Sequence, residues 1–118
     1  MKRESGEQRQ LLFALGLCAR ARRLIFGVPM ICEALKNGKT DILVIAASDN
    51  SENSAKRLRD RCEFYNARLC VTDIDGEALA SATGKGGRIA AVAVTDPNMM
   101  HLVLSKLNTT NHNENSES

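Results

Sequence analysis

Two hydrophobic rhythms alternate along the chain. From Glu7 to Ala21, "EQRQLLFALGLCARA", apolar residues recur at helical spacing and put Leu11, Leu15 and Cys18 on one face. Ser5, with Gln8 three positions on, has the form of a capping box. A short extended piece, Leu24–Phe26, follows and is broken by Gly27. Pro29 fits the first position of a second helix, where its missing N–H costs nothing. That helix buries Ile31, Ala34 and Leu35, runs to about Asn37 and is stopped by Gly38.

The other rhythm is the continuous apolar run. "DILVIAA" (41–47) and "RIAAVAV" (88–94) are apolar at successive positions, the pattern of strands covered on both faces. "RLCVTD" (68–73) is a further strand. "SDNSENS" supplies caps for a helix whose stripe is Ala55, Leu58, Cys62 and Tyr65. Asp75 caps a short helix over 76–83 that Gly84 closes. Asp96–Pro97 opens a last helix with Met100, Val103, Leu104 and Leu107 on its buried side. Helices and strands alternating in this way predict an α/β fold, a three-layer α/β/α sandwich around a small mixed sheet of about four strands. Residues 1–107 make one domain. The polar segment 108–118, "NTTNHNENSES", has no apolar period and is predicted to be a disordered tail.

Composition sharpens this picture in two places. Of the 118 residues 43% are hydrophobic but only 3% aromatic, with no Trp, so the core is aliphatic. Few aromatics also means few base-stacking platforms, which argues against generic single-strand binding. The four cysteines, at 18, 32, 62 and 70, match no C-x-x-C redox or zinc spacing. They read as buried small hydrophobes in a reducing compartment, with Cys32 the most accessible. No apolar run approaches the roughly 20 residues of a membrane span. The polar N-terminus does not read as a signal peptide. A cytoplasmic protein is expected.

Net charge is only +2, and its distribution matters more. Between Arg20 and Lys39 stand five basic residues, Arg20, Arg22, Arg23, Lys36 and Lys39, against one acid, Glu33. On the third helix Lys56, Arg57, Arg59, Asp60, Arg61 and Glu63 alternate in sign, the chemistry of a solvated face with i,i+4 pairs such as Arg59–Glu63. The loop "TGKGGR" (83–88) precedes a strand rather than a helix and is no Walker loop. It reads as a flexible turn that sets Lys85 and Arg88 beside backbone amides, a contact for a polyanion. His101 sits among core positions of the last helix and His112 in the tail. Asp41, Asp73 and Asp75 lie near strand ends, and no nucleophile stands with a base. No enzyme, cofactor or metal is expected.

Three segments, "ALGLCARARRLIFG", "SENSAKRLRDRCEFYNARL" and "GKGGRIAAVAVTD", taken in order and spacing, resemble the small bacterial YlxQ-like proteins. These are of the archaeal L7Ae and eukaryotic L30e ribosomal-protein type, a family that binds kink-turn RNA. The resemblance runs from about Leu11 to Leu107. It implies an α/β/α sandwich and a non-catalytic, ribosome- or structured-RNA-associated monomer. It implies an RNA surface in two halves, one from Arg23 through Lys36 and one over the loop 84–89. The residues so implied are Arg23, Gly27, Val28, Pro29, Met30, Glu33, Lys36, Lys85, Gly86, Gly87, Arg88 and Ile89. Kink-turn binders carry Gly, a small residue, Asn, Glu, two variable residues and Lys. This chain has Gly27, Val28, Pro29, Met30, Ile31, Cys32 and Glu33. Pro29 and Met30 offer no hydrogen bonds to base edges, and Glu33 sets a negative charge near phosphates. The resemblance therefore implies RNA binding of altered specificity. The alternative is a protein-interaction module that keeps the fold and presents Phe26, Val28 and Met30 as an apolar patch.

Overall fold

The computed structural model describes residues 6–110. Five helices and four strands alternate: α1 (Gly6–Arg20), β1 (Leu24–Phe26), α2 (Val28–Lys36), β2 (Leu43–Ala46), α3 (Glu52–Phe64), β3 (Arg68–Val71), α4 (Gly76–Ala82), β4 (Ala91–Val94) and α5 (Pro97–Thr110). The strands form one mixed sheet in the order β1-β4-β2-β3. β4 runs antiparallel to both its neighbours, and β2 pairs parallel with β3.

The period-2 geometry of the central strands divides the core into two. Leu43, Ile45, Val92 and Val94 face one way and pack with Leu11, Leu15, Leu79 and Val103 of α1, α4 and α5. Val44, Ala46, Ala91 and Ala93 face the other way, against Val28, Ile31, Leu35, Leu58 and Cys62 of α2 and α3. The three expected layers are therefore present, with β2 and β4 wholly buried between them.

Several boundaries differ from the sequence expectation, each for a physical reason. α2 begins at Val28, with Gly27 as its cap, so Pro29 is the second helical residue. β4 begins three residues after Arg88. The Ile89 N–H donates to the Gly76 carbonyl instead of entering the ladder, and Arg88 turns toward Asp49. β3 ends at Val71 because the Thr72 hydroxyl turns back, donating to the Ala46 carbonyl and accepting from the Ile74 N–H. α5 extends to Thr110, into the segment expected to be tail. Residue 5 of the expected capping box and residues 111–118 lie outside the described residues.

The caps follow the sequence more closely. Ser51 and Asp75 accept from the N–H three residues on, at 3.1 and 2.8 Å. α1, α2, α3 and α4 all end in the paired backbone hydrogen bonds of the Schellman motif. In α1 and α3 the left-handed residue is Arg22 (φ 60°) or Asn66 (φ 59°) rather than glycine.

All four cysteines are thiols. Cys18, Cys32 and Cys62 are buried, and burial pushes the Cys18 and Cys62 thiols up to about 11. Cys70, not Cys32, is the least buried, because β3 is an edge strand with exposed ends. Labelling of the native protein with a thiol reagent at neutral pH is expected to modify Cys70 first, and Cys18 and Cys62 only as fast as the protein opens. Mass mapping of the adducts checks the order, and early modification of Cys62 would contradict it.

Candidate nucleic-acid interface

The β1–α2 junction is built around Gly27. Its N–H donates to the Ala91 carbonyl at 2.9 Å, which docks the end of β1 on β4. Its backbone then turns at φ 91°, ψ 151°, and its carbonyl accepts the first helical bond, from Ile31 N–H. No side chain caps this helix. The N–H groups of Val28 and Met30 in the first turn therefore have no partner within the helix, and they carry its positive dipole end. Pro29, between them, has no donor to give.

The second half is the loop after α4. Its turn brings Lys85 back over β1, where Nζ lies 4.5 Å from the centre of the Phe26 ring. A cation held on an aromatic face in this way has a fixed station at the surface. Arg88 is fixed differently. Its Nη2 donates to Asp49 Oδ1 at 2.7 Å and reaches the Asp49 carbonyl and Asn50 Oδ1, both at 3.3 Å. Asn50 ties the same segment down by donating to the Ala90 carbonyl at 3.0 Å. The Gly76 N–H also donates to Asp49 Oδ1, at 2.9 Å. That N–H first, then Arg88, holds the Asp49 carboxyl below the usual aspartate range. A Cβ at Gly76 would stand 2.7 Å from Arg88 Nη2, so a side chain there would push the guanidinium from its place.

Gly27, Val28, Pro29, Lys85, Gly86, Arg88 and Ile89 converge on one open concavity of about 540 Å³, with Phe26, Ser54 and Ala90 completing its wall. The two halves implied by the sequence thus meet across β1 and β4. Gly87 stands beside the concavity as a left-handed turn residue (φ 72°). Met30 and Glu33 lie on the exposed shoulder of α2, Met30 at 60% exposure. Glu33 accepts a long hydrogen bond, 3.5 Å, from Asn37.

Arg23 and Lys36 are elsewhere. Arg23 precedes β1 at the end opposite Gly27, about 13 Å away along an extended chain. Its side chain contacts Asp96 at 3.5 Å, and its carbonyl accepts from Thr95 N–H. Lys36 is in the last turn of α2, about 12 Å along the helix axis from Val28. The apolar patch is smaller than expected: Val28 is buried and Phe26 lies beneath Lys85, leaving Met30 as its exposed member.

The geometry also adds Asp49, Asn50 and Gly76, which the sequence reading passed over. In "SDNSENS" Asp49 and Asn50 look like spare helix caps, and the partners that make them part of the site lie 27 to 40 residues away. No local pattern could have named them.

Residues 9–104 match the model of the ribosomal protein L7Ae/L30e/S12e/Gadd45 family. The chain belongs to this family. Relatives within it include the RNA-binding protein YlxQ of Bacillus subtilis (strain 168), 32% identical over 94 residues that cover 79% of this chain and 90% of the relative. The RNA-binding protein YlxQ of Enterococcus faecium is 33% identical over 60 residues, 51% of this chain and 57% of that one. A solved structure of a Bacillus halodurans protein of unknown function superposes with a TM-score of 0.74 at 31% identity, covering 84% of this chain and 97% of the other. The Giardia lamblia 15.5 kD RNA binding protein superposes at 0.69 with 17% identity, covering 93% and 92%, a likeness of fold alone. The α/β/α layers of this chain match the fold of the Giardia protein.

Proposed function

We propose that this protein is a non-catalytic, cytoplasmic RNA-binding protein that takes structured RNA, of the ribosome or of kink-turn type, as a monomer and with altered specificity. One observation carries the reading: the uncapped start of α2 and the cations of the 84–89 loop face a single concavity. It occurs in a chain 32% identical to a protein named for RNA binding. Helix-terminal N–H groups and a lysine station suit phosphate oxygens. Lys85 is the principal phosphate contact, because Arg88 already spends its Nη2 on Asp49 and Asn50 and contributes mainly by holding the loop.

The test is a titration of a labelled kink-turn RNA and of a matched duplex at two salt concentrations, with competitor tRNA present. Wild type is expected to bind both above the competitor, with affinity falling steeply as salt rises. Lys85→Ala is expected to lower affinity several-fold and to reduce the slope of log K against log salt by about 0.9, one phosphate's worth. Failure of the wild type to bind any structured RNA in excess of tRNA would sink the proposal.

A further inference from the structure

The sequence reading treats α3 as a solvated face, and the structure gives part of that face a different character. Asn53, Lys56, Arg57, Asp60, Arg61 and Phe64 recur at three- and four-residue spacing and line one shallow groove of about 530 Å³. Phe64 is 78% exposed at its far end. Tyr65 buttresses it edge-on, with ring centres 4.8 Å apart and planes at 86°. The ion pair that forms here is Lys56–Asp60 at 2.6 Å, not Arg59–Glu63. Asp60 is thereby matched, while Arg57 and Arg61 make no contact ion pair among the described residues. Glu52 and Glu63 are not in the groove lining.

One helix contributes to both surfaces: Ser54 lines the concavity at Gly27, and Asn53, one residue before it, begins the groove. From Asn53 to Phe64 is about 16 Å along the helix, enough for a few nucleotides of extended strand. The order is a polar start, two guanidinium groups outside any contact ion pair among the described residues, then an aromatic platform. Backbone cations followed by a stacking ring are the elements by which a single strand is held.

We infer that the outer face of α3 is a second RNA contact, where unpaired nucleotides leaving the structured element at the α2 start track along Arg57 and Arg61 and stack a base on Phe64. The inference rests on the RNA-binding reading above. Its occupant is a flanking single strand of the same RNA rather than a separate molecule, because α3 lines both surfaces and the groove's unmatched charge is positive.

The experiment compares a blunt kink-turn RNA with the same RNA carrying a short unpaired extension at one end or the other. Wild type is expected to bind one of the extended RNAs at least about fivefold tighter, the low end of what one base–aromatic stack supplies. Phe64→Ala should abolish that advantage and leave the blunt RNA's affinity unchanged. Phe64→Leu, which keeps apolar bulk without a flat ring, should lose most of it as well. Arg57→Ala with Arg61→Ala should lower the salt slope for the extended RNA by about 1.4, two single-strand phosphates. Thermal melts of the variants should match wild type, since these side chains are exposed. Equal affinity of the wild type for blunt and extended RNAs would overturn the second contact and leave the first standing, and so would an extension advantage that survives Phe64→Ala. Absence of binding to every RNA would remove the reading beneath it.

Discussion

Replacing Gly27 with alanine is expected to destabilise the protein by about 1–3 kcal/mol and to weaken RNA binding with it. The residue sits at φ 91°, ψ 151°, a region that costs a side-chain-bearing residue energy of that order. The cost is not steric crowding by neighbours. A Cβ there meets nothing nearer than Pro29 Cδ at 3.8 Å. It is backbone strain, which the chain can relieve only by rotating the junction. Rotation would give up the hydrogen bond to Ala91 and swing the first turn of α2 away from the loop that carries Lys85. Urea unfolding measures the first effect and the RNA titration, run where the variant is fully folded, measures the second. A loss below about 0.5 kcal/mol would show that the junction is free to relax, and the geometry drawn for the site would then be wrong.

That geometry marks where sequence reading succeeds and where it stops. The apolar runs around Val44 and Val92 place the central strands, because a strand buried on both faces admits little else. Ser51, Asp75 and Gly38 place helix ends, because capping is local chemistry. What escapes is whatever depends on distant partners. Arg88 reads as a free cation in "TGKGGR", yet Asp49 and Asn50 hold it from across the fold. Cys70 reads as an interior strand residue until the strand order makes β3 an edge. Arg23 and Lys36 share a basic window with Gly27, but β1 begins and α2 ends well away from the junction between them. One window thus supplies residues of the concavity and two cations that do not line it.

The largest gain is expected from restoring the α2 start toward the pattern of kink-turn binders, by Pro29→Asn, Met30→Glu and Glu33→Lys together. All three side chains are exposed, so the exchange should leave the core untouched. One of the changes suits the helix itself: a carboxylate at position 30 lies in the first turn, where the dipole favours negative charge by about 0.3–1 kcal/mol. Asparagine in place of Pro29 gives up the rigidity of a well-placed proline, a cost of about 0.4–1 kcal/mol. The two offset, so a melting temperature close to that of wild type is expected, and any change in binding can be read as recognition. Asparagine and glutamate offer the polar groups that proline and methionine lack. Good base-edge pairs in duplex DNA are worth about 1–3 kcal/mol of discrimination, and on that scale the triple variant should prefer a kink-turn over a matched duplex by tenfold or more beyond wild type. Glu33→Lys alone changes charge on the shoulder of the site without adding a reading group, so it should raise affinity for both RNAs alike and add about 0.9 to the salt slope for each. The two variants thus separate reading from attraction. If wild type already binds the kink-turn tightly and selectively, and the triple variant gains nothing, then Gly27 and the loop at Lys85 suffice for recognition and the side chains at 29, 30 and 33 are bystanders.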